Sequence, residues 1–91
     1  MTFAWDEDKA AANVAKHGIR FDYAARVFDD PYRIEREDSS LDYGEPRYQA
    51  LGSVAGHVLF VAFTYRGEAI RIIAARRATR YERRQYHEMS S

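Results

Sequence analysis

The stretch HVLFVAFTY, residues 57–65, constrains the fold more than any other part of the chain. It is apolar on both of the faces a strand would present, so it must be covered on both sides. Its apolar run of eight residues, VLFVAFTY, is far short of the roughly 20 that cross a bilayer as a helix. The cover must therefore come from protein, and the stretch is expected to be a central strand of a small sheet.

Its neighbours extend the pattern on both sides. Arg66-Gly67-Glu68 is a tight turn into AIRIIAA, and Ala55-Gly56 is a turn from the alternating RYQALGS. YRIERE, from Tyr32, alternates in the manner of a half-exposed strand. Short connections make these four strands an antiparallel meander, interrupted by the polar loop DSSLDYGEP at residues 38–46.

Helix signals flank the meander. Asp6 is a good N-cap, Glu7 and Asp8 suit the positive end of a helix dipole, and Gly18 can supply a left-handed stop, so a first helix is expected over Glu7–His17. Its apolar residues (Ala10, Ala11 and Val14) are few, which places it on the surface with Trp5 under its start. A short second helix is expected from an N-cap at Asp22, with Ala24, Val27 and Phe28 inward, ending at Asp30-Pro31. Thr79-Arg80-Tyr81-Glu82 is a capping box that opens a third helix at about Arg80. The expected order is α-α-β-β-β-β-α: an α+β domain with helices packed on a small four-stranded antiparallel sheet.

With 91 residues the chain is expected to be one domain that buries about 60 to 65 per cent of its unfolded surface. It has no cysteine, which excludes disulfides and thiolate chemistry and fits a reducing cytoplasm. MTFAWDEDK does not read as a secretion signal, so the expected location is cytoplasmic. His17, His57 and His87 are scattered without metal-ligand spacing, and no Gly-rich phosphate loop is present, so no metal and no cofactor are expected.

The formal net charge is zero, but it hides a split. Residues 1–46 carry six bases and eleven acids, and residues 47–91 carry eight bases and three acids. Six arginines fall within RIIAARRATRYERRQY, residues 71–86, against the single acid Glu82. On the expected fourth strand, alternation turns Ile70 and Ile72 to one face and Arg71 to the other. On the helix that follows, Arg80, Arg83, Arg84 and His87 form one stripe and Tyr81, Gln85 and Met89 another, while Tyr81 and Tyr86 read as packing residues. Clustered guanidinium groups need a counter-charge, and phosphate suits their planar fork. A nucleic-acid partner follows, because bases also stack on tyrosine and guanidinium planes.

WDEDKAAANVAKHGIRFDYAARVFDDP, GEPRYQALG and TYRGEAIRIIAARRATRYERRQY resemble, in order and over nearly all of the chain, the BrnT toxins of bacterial type II toxin-antitoxin modules. The resemblance implies a compact RelE-like ribonuclease fold, growth inhibition by RNA cleavage, and neutralisation by a ribbon-helix-helix antitoxin through which alone operator DNA is bound. One departure stands out, since the family usually has serine where this chain has Ala74.

For a metal-free nuclease of that kind, the RNA 2′-hydroxyl attacks the adjacent phosphate, and arginines stabilise the added charge. Arg76 and Arg66, each expected at a strand end and so able to converge on one pocket, are the candidates for that role. Lys16, His17 and Tyr65 are the candidates for proton transfer, with His17 alternatively capping its helix. Arg47, Arg71, Arg77, Arg80, Arg83 and Arg84 are the expected RNA contacts. The alternative is a non-enzymatic module that binds nucleic acid or protein through the same arginines.

Overall fold

In a computed structural model, which describes residues 1–38 and 44–90, the chain is α+β with a five-stranded mixed sheet. In chain order the elements are β1 (Thr2–Ala4), α1 (Glu7–His17), α2 (Phe21–Ala24) running into a 3₁₀ helix (Ala25–Asp29), β2 (Ile34–Asp38), β3 (Arg47–Val54), β4 (His57–Arg66), β5 (Ala69–Arg77) and α3 (Arg80–Ser90). The strand order is β1-β5-β4-β3-β2, with HVLFVAFTY in the centre. The meander β2 to β5 is antiparallel as expected. Most of the expected loop DSSLDYGEP lies outside the described residues.

The expected four-stranded antiparallel sheet is corrected by β1, which pairs parallel to β5 with Thr2 opposite Ala69 and Ala4 opposite Arg71. Three residues before a helix cap carry no period, so only the long-range pairing reveals the strand.

Local signals placed α1 and α3 well. The Asp6 carboxylate accepts from the amides of Asp8 and Lys9, and Gly18 ends α1 at φ 71°. The capping box closes reciprocally, with Thr79 N donating to Glu82 Oε1 at 2.9 Å and Glu82 N donating to Thr79 Oγ1 at 3.1 Å. Asp22 is a correction: it lies inside α2, where it pairs with Arg20 at 2.8 Å, and the N-cap position belongs to Arg20, which makes no side-chain cap bond.

The inward side of α1 is a second surprise. Val14 is 43% exposed, whereas Asn13 is buried at 6%. The Asn13 amide donates to Ala75 O at 2.9 Å and accepts from Ala75 N at 3.0 Å, while also donating to Ile19 O at 2.9 Å. The carboxamide thus takes the place of a paired strand on β5 where β1 has already ended, satisfying backbone groups that would otherwise be orphaned.

The main core lies between the sheet and the α2–3₁₀ segment. Phe63, Val61, Leu59 and Ile72 from the sheet meet Ala24, Val27 and Phe28 there, each large side chain contributing about 1.5–3 kcal/mol on burial. Gly52 is required at this contact, because a Cβ would come within 2.6 Å of Val27 Cγ1. The opposite face of the sheet has a smaller cluster under α3, built on Leu51, Val58, Ala78 and Tyr86 with Ile34 and Phe60 against it. Tyr86 donates a short hydrogen bond to Asp30, which also accepts from Ser53 N at 2.8 Å and Tyr32 N at 2.9 Å.

Candidate nucleic-acid interface

The side chains that share the α3 face follow from register and alternation. Ile34, Leu51 and Phe60 lie under α3, so Arg36, Gln49 and Arg47, and Ala62, Thr64 and Arg66, share that face further along their strands. On β5 the alternation is broken. Ala62 pairs with Ala74 but Phe63 pairs with Ile72, so β5 carries a bulge at Ile73. Without it Arg76 would point with Ile70 and Ile72 into the main core. With it, Ala75 enters that core at 0% exposure, while Ala74 and Arg76 turn to the α3 side.

Two cross-strand rows of this face lie beyond the α3 cluster. One runs Asp38, Arg47, Thr64, Arg71 and the next Arg36, Gln49, Ala62, Ala74. Arg47 and Arg71 therefore flank Thr64 on neighbouring strands. Thr64 is buried and donates to Pro46 O at 2.5 Å, and Arg36 donates to Gln49 Oε1 at 3.2 Å. The two alanines keep the second row shallow.

This face has rims on three sides. At the β4–β5 turn, Arg66 pairs with Glu45 at 3.5 Å. Along the β5 edge, α1 and the bulge enclose a groove of about 310 Å³ lined by Lys9, Asn13, Lys16, His17, Ile73 and Ala74 among others. Arg71 lies toward the start of α1, where the Lys9 amide chiefly, aided by the Lys9 and Arg71 charges, holds the Asp6 carboxyl below the usual range. At the foot of α3, Arg76 makes two hydrogen bonds to Glu82, at 2.8 and 3.1 Å, and lies 4.1 Å over the Phe60 ring. Burial opposes the Glu82 charge, but Arg76 and the Thr79 amide outweigh it and lower its pKa.

The expected site residues are thus partly brought together. Lys16 and His17 line one groove beside Ala74, and Arg47 and Arg71 share a row. Arg66 and Arg76 occupy the same face but do not converge on one pocket, a correction to the expectation: Arg66 pairs with Ala69 and Arg76 with Phe60, six residues along β4, or about 20 Å. Tyr65 points to the other face, packed against Tyr48 and Phe63, with burial and then the Glu35 charge raising its phenol pKa. Arg77 also turns to that other side, against His57. Arg80 and Arg84 are exposed on α3, and Arg83 donates to Ala78 O at 2.8 Å. The α3 side that packs is Glu82, Gln85 and Tyr86, and Tyr81 is 66% exposed, so of the two tyrosines assigned to packing only Tyr86 packs.

Arg36, Gln49, Thr64 and Asn13 escaped the sequence reading. Alternation in IERED does place Ile34 and Arg36 on one face, so that signal was available. No local pattern marks Asn13.

The fold and this face together define a small α+β protein whose sheet presents arginines from four strands on one side. A family model described as "Ribonuclease toxin, BrnT, of type II toxin-antitoxin system" matches residues 5–82. The chain belongs to that ribonuclease toxin family, which implies an antitoxin partner. Comparison with curated proteins yields no match. Among the described residues no helix is long and apolar enough to cross a membrane.

Proposed function

We propose that this chain is the toxin of a bacterial type II module: a metal-independent endoribonuclease that acts in the cytoplasm, inhibits growth, and is neutralised by a ribbon-helix-helix antitoxin. The observation that carries this reading is the row Arg47, Thr64, Arg71 beside the Lys16–His17 groove, on one open face of the sheet.

On this reading the RNA backbone lies across the two open rows. Arg71 and Arg47 hold the scissile phosphate and its neighbour, and Arg36 and Arg66 contact the flanking phosphates. The donors strengthen as the attacking 2′-oxygen adds charge to the phosphorane, which is where fixed guanidinium groups lower a barrier most. On this reading His17 or Lys16, beside Ala74, takes the proton of the 2′-hydroxyl or supplies one to the leaving 5′-oxygen. Arg76 serves less directly, because Glu82 already neutralises it, and Tyr65 serves outside the reaction. Arg80 and Arg84 are left for the outer RNA backbone or for acidic groups of the antitoxin.

The test is digestion of RNA in EDTA by the purified chain, with Arg71→Ala and His17→Gln beside it. Fragments with 2′,3′-cyclic phosphate and 5′-hydroxyl ends are expected, with Arg71→Ala slower by about 10² or more and its amide spectrum unchanged. Activity that chelation abolishes and magnesium restores would overturn metal independence. RNA binding without any cleavage would favour the binding-only alternative, toward which Ala74, a position without a hydroxyl, already leans. Arg76→Ala is a poorer probe, since it also frees Glu82 and unseats α3.

A further inference from the structure

The end of the sheet that carries the β3–β4 turn holds a second cationic cluster, remote from the open rows. Arg77 pairs with Leu59 on β4, five residues from Thr64, or about 17 Å along the strand. Two clefts meet there. One, of about 520 Å³, lies between β5 and the start of α2 and is lined by Arg20, Tyr23, Arg26, His57 and Arg77 among others. The other, of about 270 Å³, lies under α3 and shares His57 and Arg77 while adding Arg83 and His87. The His57–Arg77 pair is the wall common to both.

Among the described residues the acids do not answer this charge. Asp22, in the first cleft, is already paired with Arg20 at 2.8 Å. Among the described residues Arg26, Arg77 and Arg83 have no carboxylate partner: Arg26 lies 5.5 Å from the Tyr23 ring centroid, Arg77 meets His57 Nδ1 at 3.2 Å, and Arg83 donates to Ala78 O at 2.8 Å. Like charges gathered in this way call for a ligand of opposite sign.

Hydrogen-bond chemistry narrows that ligand. A guanidinium has no acceptor, so in the Arg77–His57 contact Nδ1 must accept, which leaves the imidazole proton on Nε2. The pair therefore turns only donors toward the clefts, and Arg26 and Arg83 add more, each held by its own contact. Such a wall, with donors from several directions, is matched by the tetrahedral oxygens of a phosphate group better than by the two coplanar oxygens of a carboxylate.

We propose that this end of the molecule is a second phosphate-binding site, in which His57, Arg77, Arg83 and His87, with Arg26 at the entrance, hold a terminal or backbone phosphate of a nucleotide or RNA chain. The proposal requires phosphate, not cleavage, and stands apart from the sheet-face reading.

The experiment follows the His57 and His87 imidazole signals of the full chain by NMR at constant ionic strength. The titrants are inorganic phosphate, uridine 5′-monophosphate, a short 2′-O-methyl oligoribonucleotide that cannot be cut, and a glutamate-rich peptide. Both imidazoles are expected to shift on phosphate ligands, with Arg77→Gln and His57→Gln each weakening binding about tenfold and Arg71→Ala leaving it unchanged. Saturation by inorganic phosphate and the mononucleotide assigns the site to terminal phosphates, and saturation by the oligonucleotide alone assigns it to backbone diesters. The proposal is overturned if no phosphate ligand moves these signals, if Arg77→Gln binds like the wild type, or if only the acidic peptide saturates. A chain that cuts RNA without these shifts loses this site alone, and one that shows the shifts without cutting RNA loses the ribonuclease reading alone.

Discussion

The two faces of the sheet differ in what covers them. On the α2 face, Phe63, Val61, Leu59 and Ile72 are sealed by Ala24, Val27 and Phe28, and aromatic rings continue outward through Tyr48 and Tyr65. On the α3 face, a four-residue cluster and one helix cover only part of the sheet, and the rest carries arginine, threonine, glutamine, alanine and Asp38. A chain this small cannot bury both faces fully. One face carries most of the burial, and the other is left partly open.

The largest effects should test that division directly. Phe63→Ala, at 0% exposure, should cost about 3–5 kcal/mol, against about 2–3 kcal/mol for Leu51→Ala under α3. Both are read from denaturant midpoints, and equal costs would break the comparison. Asn13→Leu should cost about 2 kcal/mol by orphaning the Ala75 amide and carbonyl. Faster hydrogen exchange at Ala75 would show that the α1 edge belongs to the stable side.

Two smaller effects probe how α3 is seated. The Glu82 pKa is lowered in the fold, so its contribution is present above the unfolded value near 4.5 and is lost as pH falls through the folded value. Glu82→Gln should cost about 1–2 kcal/mol at neutral pH and flatten the acid limb of stability. The smallest effect concerns Tyr86, whose pKa is pushed up to about 12 by burial and then by Asp30. The unfolded phenol ionises first, so stability should fall as pH rises from about 10 toward 12. Tyr86→Phe should remove that fall while costing about 1 kcal/mol near neutrality; an unchanged alkaline limb would mean that Asp30 does not seat the helix.

The candidate site was legible to the extent that it rests on alternation within one strand. Arg47 and Arg71 could be found in that way. Arg76 could not be assigned to a face, because the bulge at Ile73 adds a residue to β5 and reverses every side chain beyond it. Arg66 and Arg76 looked close because both sit near strand ends, but in an antiparallel hairpin those ends are opposite.

The sequence by itself determined the elements whose cause is local: α1 between Asp6 and Gly18, α3 behind its capping box, and the hairpins at Ala55-Gly56 and Gly67-Glu68. Caps and turns involve residues two to four apart, and their preferences survive in any context. The pairing of β1 with β5, the Asn13 amide standing in for a strand, and the face to which each arginine turns were decided by the tertiary structure. Each depends on partners some sixty residues away or on one inserted residue, and neither leaves a periodic trace in the chain.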